Sequence, residues 1–216
     1  MIIAGVDEAG RGPVIGPMVM AICSIDKSQE HLLQELGVKD SKLLLPKRRE
    51  FLFEKIKELC KYEIIILSPK EIDDALFDRT VNLNRLEGKT IAKLVNLIEA
   101  DKFIIDCPST NIKAYTEFLY TMMSKDKHLV VEHKADLNNV IVGAASVLAK
   151  VTRDRMIEDI KKKVGFDFGS GYPADPRTID FLKRNWNKYD FFRTSWATYK
   201  KVAENKGIQK GISDYK

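Results

Sequence analysis

Cysteine is scarce in this sequence, and its distribution excludes several kinds of site. The chain has three cysteines, Cys23, Cys60 and Cys107, an odd number without a Cys-x-x-Cys pair. A disulfide framework and a zinc site of the Cys-x-x-Cys type are therefore not expected. Such cysteine usage is typical of a protein from a reducing compartment, and we expect a cytoplasmic location.

Long apolar runs are absent as well. Nowhere do about 18 apolar residues follow one another, as a membrane-spanning helix requires. The first residues, MIIAGVDEAG, lack the basic segment of a signal peptide. Charge of one sign does not dominate either, since the net charge is +5 while 31% of the residues are charged. The charge therefore indicates only a mild preference for anionic partners.

Short apolar runs and amphipathic segments alternate along the chain. This pattern predicts one mixed α/β domain with about five strands over residues 1–175, followed by a helical extension, residues 176–216, packed on it. A capping box beginning at Ser68 predicts a helix start, and the pair Asp175-Pro176 predicts another. The predicted strands cover residues 2–6, 18–25, 62–67, 102–106 and 128–132, and three longer predicted helices cover 83–99, 112–123 and 140–163.

Acidic residues stand at the ends of predicted strands or just after them. They are Asp7, Glu8, Asp106 and Asp136. Strand ends on one edge of an α/β sheet converge in space, and several carboxylates in one place require cations. Oxygen ligands favour hard ions such as Mg²⁺ or Mn²⁺. Two such ions about 4 Å apart can activate a water and stabilise the leaving oxygen in phosphodiester hydrolysis.

A simpler interpretation of these acids stays open at this point. An isolated acid at a strand end is more often a turn former or a helix cap than a metal ligand. Successive side chains of a strand also point to opposite faces, so Asp7 and Glu8 can serve one site only if the strand ends or bulges there. The glycines at positions 10 and 12 make such a distortion plausible.

The stretch Gly10-Arg11-Gly12 does not fit the common nucleotide-binding loops. The pattern GxGxxG needs a third glycine where this chain has Ile15, and a P-loop needs Lys-Ser or Lys-Thr after its last glycine. Acids beside a bound pyrophosphate would also repel it. A backbone that approaches a sugar-phosphate chain fits the loop better.

Five motifs together make the sequence resemble type 2 ribonuclease H. In chain order they are GVDEAGRGP, DSKLL, IDCP, HKAD followed by AASVLAKVTRDR, and GSGYPADP. The RTSW stretch near the end is similar to the closing helical region of that family, so the resemblance covers most of the chain.

The resemblance implies a ribonuclease H-like fold, with a five-stranded mixed sheet, flanking helices and a helical C-terminal extension. Residues 1–175 would be the catalytic domain. It also implies an endonuclease that uses Mg²⁺ or Mn²⁺ to cut RNA in RNA–DNA hybrids and to cut 5′ of single ribonucleotides in duplex DNA, leaving 3′-hydroxyl and 5′-phosphate ends. The residues matching the family's catalytic and metal-binding carboxylates are Asp7, Glu8, Asp106 and Asp136.

The substrate-binding residues are expected in three places. Gly10, Arg11 and Gly12 would contact the 2′-hydroxyl and the neighbouring phosphate through their backbone, and the tyrosine matching the family's sugar-stacking residue is Tyr172. Lysines on a helix are more often a solvated face, but for three basic residues the phosphate contact is favoured. They are Lys42, Lys150 and Arg153.

Some positions depart from the family pattern. Members often carry an aromatic residue near position 138 and a serine at 143, where this chain has Asn138 and Gly143. DSKLL lacks the second lysine of the commoner DSKKL, so one phosphate contact is in doubt.

Two alternatives are weighed against this enzyme. One is a resolvase or another nuclease of the same fold that cuts DNA without requiring a 2′-hydroxyl. The other is a silent duplex-binding protein, which would be expected to lack at least one of the four acids. We expect a monomer, and no clamp-binding box is found, so a sliding-clamp partner stays open.

Overall fold

The structure is a computed structural model that describes residues 1–38, 44–78, 80–124 and 126–213, with side chains up to residue 206. The chain divides into two compact units. The sheet unit comprises Met1–Ala9, Val19–Ile66 and Leu83–Arg153. The aromatic unit comprises Gly10–Met18, Leu67–Asn82 and Asp154–Lys216. The boundary expected near residue 175 stays a prediction.

A five-stranded mixed sheet organises the sheet unit, as the sequence predicted. Its strand order is β3-β2-β1-β4-β5. The first pair, β1 and β2, is antiparallel, whereas β4 lies parallel to β1 and to β5. The strands are β1 (Ile2–Ala9), β2 (Met18–Asp26), β3 (Lys61–Leu67), β4 (Lys102–Asp106) and β5 (Leu129–Glu132).

The parallel strands place their carboxyl ends at one edge of the sheet. Val6 of β1 lies opposite Ile105 of β4 in the parallel register. The next residue along each strand is an acid, Asp7 on β1 and Asp106 on β4. The register therefore brings two of the expected carboxylates to the same edge.

Helices alternate with the strands along the chain, and two of them begin at the predicted capping signals. The capping box at Ser68 is confirmed, because the Ser68 hydroxyl accepts a hydrogen bond from the N–H of Glu71 and the Glu71 side chain accepts one from the N–H of Ser68. Asp175 caps the helix that opens with Pro176, also as predicted. Besides the short 3₁₀ helix Lys27–Gln29, the helices are α1 (Glu30–Glu35), α2 (Pro46–Leu59), α3 (Pro69–Phe77), α4 (Leu83–Leu97), α5 (Ile112–Tyr120), α6 (Ala135–Asn138), α7 (Val140–Val164), α8 (Pro176–Asn185) and α9 (Ala197–Ser213).

The first turns of α7 lie against the centre of the sheet. Gly5 of β1 faces Ile141 so closely that a Cβ on Gly5 would lie 2.5 Å from the carbonyl carbon of Ile141. The thiol of Cys23 on β2 donates to the carbonyl oxygen of Ile141 at 3.3 Å. Residues 141–149 are all buried. Only glycine at position 5 permits this approach, and it sets where the following residues of α7 lie.

Aromatic and aliphatic side chains together form the core of the aromatic unit. An isolated antiparallel bridge joins Ile15 to Phe192, and Trp186 and Trp196 pack against the same core. Within the described residues, no helix has the length and apolar character needed to cross a membrane. The buried members of the core are Val14, Ile15, Ile157, Phe168, Phe181, Leu182, Phe191, Phe192 and Val202.

Candidate active site

Three carboxylates meet at the sheet edge of the sheet unit. Oxygen atoms of Asp7, Glu8 and Asp106 all lie within 4.8 Å of one another. Asp7 is buried, while Glu8 and Asp106 are half-buried. The backbone N–H of Glu8 donates to Oδ1 of Asp7 at 2.8 Å. Although the two neighbours stand in one strand, both reach a common point, which favours the metal-ligand interpretation over that of isolated caps.

Asp136 lies in the short helix that follows β5. Lys134 adopts the left-handed conformation, with φ of 56°, which is uncommon for a residue other than glycine. This turn starts α6, and the N–H of Ala135 donates to Oδ1 of Asp106 at 2.8 Å. Asp136 is 7% exposed, and its charge acts on Asp7. It thus belongs to the same electrostatic environment, although the tight group comprises only the other three acids.

Burial of this cluster disfavours its negative charge. The pKa of Asp7 is raised from 3.8 to about 7, mainly by desolvation and to a smaller extent by repulsion from Asp106 and Asp136. Hydrogen bonds from the Ser146 hydroxyl and from the Glu8 N–H act in the opposite direction. A divalent cation would offset the repulsion, and a set of carboxylate oxygens is the donor chemistry that Mg²⁺ and Mn²⁺ prefer. The residues present therefore fit such an ion.

The glycine loop, residues 10–16, lies beside Tyr172 within the aromatic unit. A Cβ placed on Gly12 would be 3.4 Å from Cε1 of Tyr172, so the ring covers the backbone at that point. The backbone N–H of Val14 donates to the carbonyl of Gly171 at 2.9 Å, which ties the two loops together. Tyr172 is 39% exposed. The structure thus brings together Gly12 and Tyr172, two of the residues expected to contact the sugar and its 2′-hydroxyl.

The start of α8 braces the loop that carries Tyr172. The N–H of Ser170 donates to Oδ2 of Asp175 at 2.9 Å, and the N–H of Gly171 donates to the buried hydroxyl of Thr178 at 3.0 Å. The Ser170 N–H and the side chain of Arg177 lower the pKa of Asp175 to about 2. Sequence reasoning identified Asp175 as a helix cap but missed this second role, and it missed Thr178, which no local pattern marks.

The three basic residues expected to contact phosphate are Lys42, Lys150 and Arg153, and the two that the structure describes differ in exposure. Lys42 lies outside the described residues. Lys150 is partly exposed on α7, whereas Arg153 on the same helix is only 2% exposed. Their phosphate contacts stay predictions. Ser146 shares this helix, and its hydrogen bond to Asp7 is a contact that the sequence did not predict.

Comparison with known proteins identifies the family of this chain and agrees with its fold. The family model described as Ribonuclease HII matches residues 4–199. The chain is similar to a ribonuclease HII of Methanococcus maripaludis strain C6, with 45% identity over 93% of this chain and 87% of the relative. Among solved structures it is similar to ribonuclease H2 from Pyrococcus horikoshii OT3, with a TM-score of 0.86, 40% identity and coverage of 95% of this chain and 98% of the other.

A second solved structure is similar and includes a partner protein. It is the PCNA:RNase HII complex from Archaeoglobus fulgidus, with a TM-score of 0.83 and 37% identity over 91% of this chain and 95% of the other. The expected fold and the expected class of enzyme are thereby confirmed. The resemblance carried by GVDEAGRGP and its companion motifs reflects membership: the chain belongs to the ribonuclease HII family, whose endonuclease activity is directed at the RNA of RNA–DNA hybrids.

Proposed function

We propose that this ribonuclease also cuts 5′ of a single ribonucleotide embedded in duplex DNA, and that it leaves 3′-hydroxyl and 5′-phosphate ends. Asp7, Glu8, Asp106 and Asp136 would hold two divalent ions. The observation that carries this proposal is the convergence of three carboxylate oxygen atoms within 4.8 Å. Two of these carboxylates, Asp7 and Glu8, stand just before the glycine loop in the sequence, and Tyr172 covers that loop at Gly12.

The four acids would bind the ions and set their positions. When bound, two divalent ions supply an activated water and stabilise the leaving oxygen of the phosphodiester. The chain's own part is electrostatic, because burial raises the pKa of Asp7 to about 7 and so makes its ionised form dependent on a nearby positive charge. Mg²⁺ and Mn²⁺ both fit a site built from carboxylate oxygens.

Tyr172 and the glycine loop would read the ribose. The partly exposed ring of Tyr172 offers a face for the sugar next to the ribonucleotide, and the backbone at Gly12 lies beneath it. The 2′-hydroxyl is what separates RNA from DNA at one position. A site built to hydrogen-bond a hydroxyl rejects its deoxy analogue by about 10⁴ or more. One embedded ribonucleotide would then suffice for cleavage.

The two alternatives are less well supported. A silent duplex binder would be expected to lack an acid, but all four are present. A resolvase would not need a reader of the 2′-hydroxyl. Family membership and the ring of Tyr172 over Gly12 both favour the ribonuclease.

A cleavage assay tests the proposed substrate. A labelled DNA duplex with one ribonucleotide, an all-DNA duplex of the same sequence and an RNA–DNA hybrid are incubated with Mg²⁺, Mn²⁺ or EDTA. We expect metal-dependent cleavage of the first and third, with cuts on the 5′ side of the lone ribonucleotide and 3′-hydroxyl ends. Cleavage of the hybrid alone would refute the proposal for embedded ribonucleotides, and equal cleavage of all-DNA duplex would favour the resolvase.

We propose a monomer in solution that reaches its substrate alone, with a sliding clamp as an optional partner. The support for the clamp is the complex of the Archaeoglobus fulgidus relative with PCNA. Gel filtration of the chain with and without a clamp protein tests both points. A monomer elutes at the volume expected for a single chain, and a stable complex with the clamp elutes earlier.

A further inference from the structure

Arg193 is fully buried in the aromatic unit and bonds to the glycine loop. Its side chain is 0% exposed. The guanidinium donates from Nη2 to the carbonyl of Gly10 at 2.7 Å, from Nη1 to the carbonyl of Arg11 at 3.1 Å, and from Nε to the carbonyl of Gly16 at 2.9 Å. One side chain therefore holds three backbone carbonyls between positions 10 and 16.

Holding these carbonyls fixes the direction of the neighbouring N–H groups. In a trans peptide the C=O and the following N–H point in opposite directions within one plane, and the described residues contain no cis peptide bond. The direction of the Gly10 carbonyl thus fixes the direction of the Arg11 N–H, and the direction of the Arg11 carbonyl fixes that of the Gly12 N–H. Both N–H groups point away from the guanidinium.

The loop needs such a restraint because glycine makes its peptide planes easy to rotate. Gly10 has φ of 83°, a conformation that glycine adopts without strain. A rotated plane would turn a carbonyl oxygen, an acceptor, toward the ligand in place of an N–H donor. The hydrogen bonds from Arg193 disfavour that rotation at two successive planes.

Trp196 and Asp73 hold Arg193 in place. The indole Nε1 of Trp196 donates to the carbonyl of Gly12 at 3.1 Å, and its ring lies 4.8 Å from the guanidinium carbon. The carboxylate of Asp73 on α3 accepts hydrogen bonds from the N–H and hydroxyl groups of both Thr194 and Ser195. The three residues that follow Arg193 are therefore all anchored within the aromatic unit.

We propose that Arg193 is a positioning residue for recognition of the ribose. By holding the carbonyls of Gly10 and Arg11, it directs the N–H groups of Arg11 and Gly12 toward the sugar and phosphate of the substrate. This inference rests on the proposed function. Arginine suits the task because its planar fork presents several donors in fixed directions, whereas lysine is a flexible point charge.

The chemistry of this contact also separates it from simple core packing. A buried cation is costly to desolvate, and well-packed apolar residues often stabilise a core as well or better. A fully buried arginine that donates hydrogen bonds to three carbonyls of one short loop is therefore better explained by orientation of that loop than by stabilisation of the fold.

The test compares two substrates that differ only at the 2′ position. One duplex carries a single ribonucleotide, and the other carries a 2′-fluoro nucleotide, whose fluorine accepts a hydrogen bond from an N–H far more weakly than a hydroxyl oxygen does. Hydrolysis of the phosphodiester does not itself consume the 2′-hydroxyl, so the ratio of kcat/KM for the two duplexes measures recognition. We expect Arg193→Gln and Arg193→Lys to lower this ratio by about tenfold or more, as loss of an oriented hydrogen bond predicts.

A matched control removes the effect of reduced stability. Val202→Ala deletes buried apolar volume from the core of the same unit and removes no hydrogen bond to the loop, because the valine side chain has no donor or acceptor. It should lower the melting temperature and leave the ratio unchanged. If Arg193→Gln does not fold, the substrate ratio of Arg193→Lys provides the test, because lysine keeps the positive charge but lacks the planar guanidinium.

The outcomes distinguish this inference from the proposed function. Wild-type enzyme that cuts both duplexes equally would overturn the proposed function. Wild-type enzyme that discriminates, together with folded Arg193 variants that discriminate equally well, would overturn only the role of Arg193.

Discussion

The hydroxyl of Ser146 on α7 donates a hydrogen bond to the carboxylate of Asp7 on β1 and thereby lowers the pKa of that acid. Burial has the larger and opposite effect, so that the pKa of Asp7 still lies near 7. The helix that packs on the sheet is thus part of the electrostatics of the carboxylate cluster.

Ser146→Ala should raise the pKa of Asp7 further, because it removes one of the hydrogen bonds that stabilise the ionised form. We expect the acidic limb of the pH–activity profile to move to higher pH, with folding largely unaffected. Thr152→Ala is the control, since its hydroxyl bonds to the carbonyl of Leu148 on the same helix. An unmoved limb in Ser146→Ala would contradict the role given to this hydroxyl.

Neutralising any of the four acids should stop catalysis. Asp7→Asn, Glu8→Gln, Asp106→Asn and Asp136→Asn each remove an oxygen ligand or its charge, so we expect cleavage of an RNA–DNA hybrid to be abolished or severely reduced. Circular dichroism should show folded proteins. A variant of this set with near wild-type activity would remove that residue from the metal site.

The metal-free protein should lose stability as pH rises from about 4 to about 7. An acid whose pKa is raised on folding binds more protons in the folded than in the unfolded state, so its contribution is favourable at low pH and is lost as pH rises. For Asp7, a rise from 3.8 to about 7 corresponds to roughly 4 kcal/mol at most. Urea unfolding in EDTA at a series of pH values measures the effect.

Asp7→Asn should flatten this pH dependence, whereas Glu63→Gln, at an exposed position of β3, should keep it. Added Mg²⁺ or Mn²⁺ should protect the wild type most near pH 7, because ligand carboxylates must be ionised to bind. A metal-free melt in which all four neutralising variants are strongly destabilised would count against a metal site.

Tyr172→Ala should slow cleavage at a lone ribonucleotide more than cleavage within a long RNA strand, because neighbouring 2′-hydroxyls in RNA offer alternative registers. Tyr172→Phe keeps the ring over Gly12 and should retain most activity. The two substrates are compared under single-turnover conditions. Equal losses on both would show that the tyrosine is not a reader of the junction between ribonucleotide and DNA.

Lys150→Ala should weaken binding to duplex and reduce the slope of log affinity against log salt by about 1 for a lost phosphate contact. The same is expected of Lys42→Ala. Arg153→Ala should in addition lower the melting temperature, because that side chain is only 2% exposed and packs within the fold. Unchanged affinity and slope in all three variants would assign these residues to structure or to a solvated face.

Local patterns predicted the parts of the fold that depend on local chemistry. Apolar runs predicted the strands, and the acids at strand ends predicted the cluster, because parallel strands such as β1 and β4 end at one edge. The helix predicted over 112–123 ends at Tyr120, where the Thr121 hydroxyl bonds back to the carbonyl of Phe118. Such a competing side-chain bond is weakly marked in the sequence.

Contacts between distant parts of the chain could not be predicted in this way. Arg193 bonds to Gly10 across 183 positions, and Asp73 bonds to Thr194 across 121. Neither pair shares a periodicity or a turn signal. The fit of these side chains depends on how the aromatic core places its segments, which a single sequence does not reveal.

The close approach of Gly5 to Ile141 has a consequence for how substitutions at position 5 would be interpreted. A side chain there would push α7 away from β1, and Ser146 would move away from Asp7 with it. In a saturation-mutagenesis screen for activity, position 5 should tolerate as little change as the carboxylates do, although the glycine contacts no reacting atom. A parallel screen for protein abundance would separate the two kinds of position, because loss of the glycine depletes folded protein whereas loss of an acid leaves it in place.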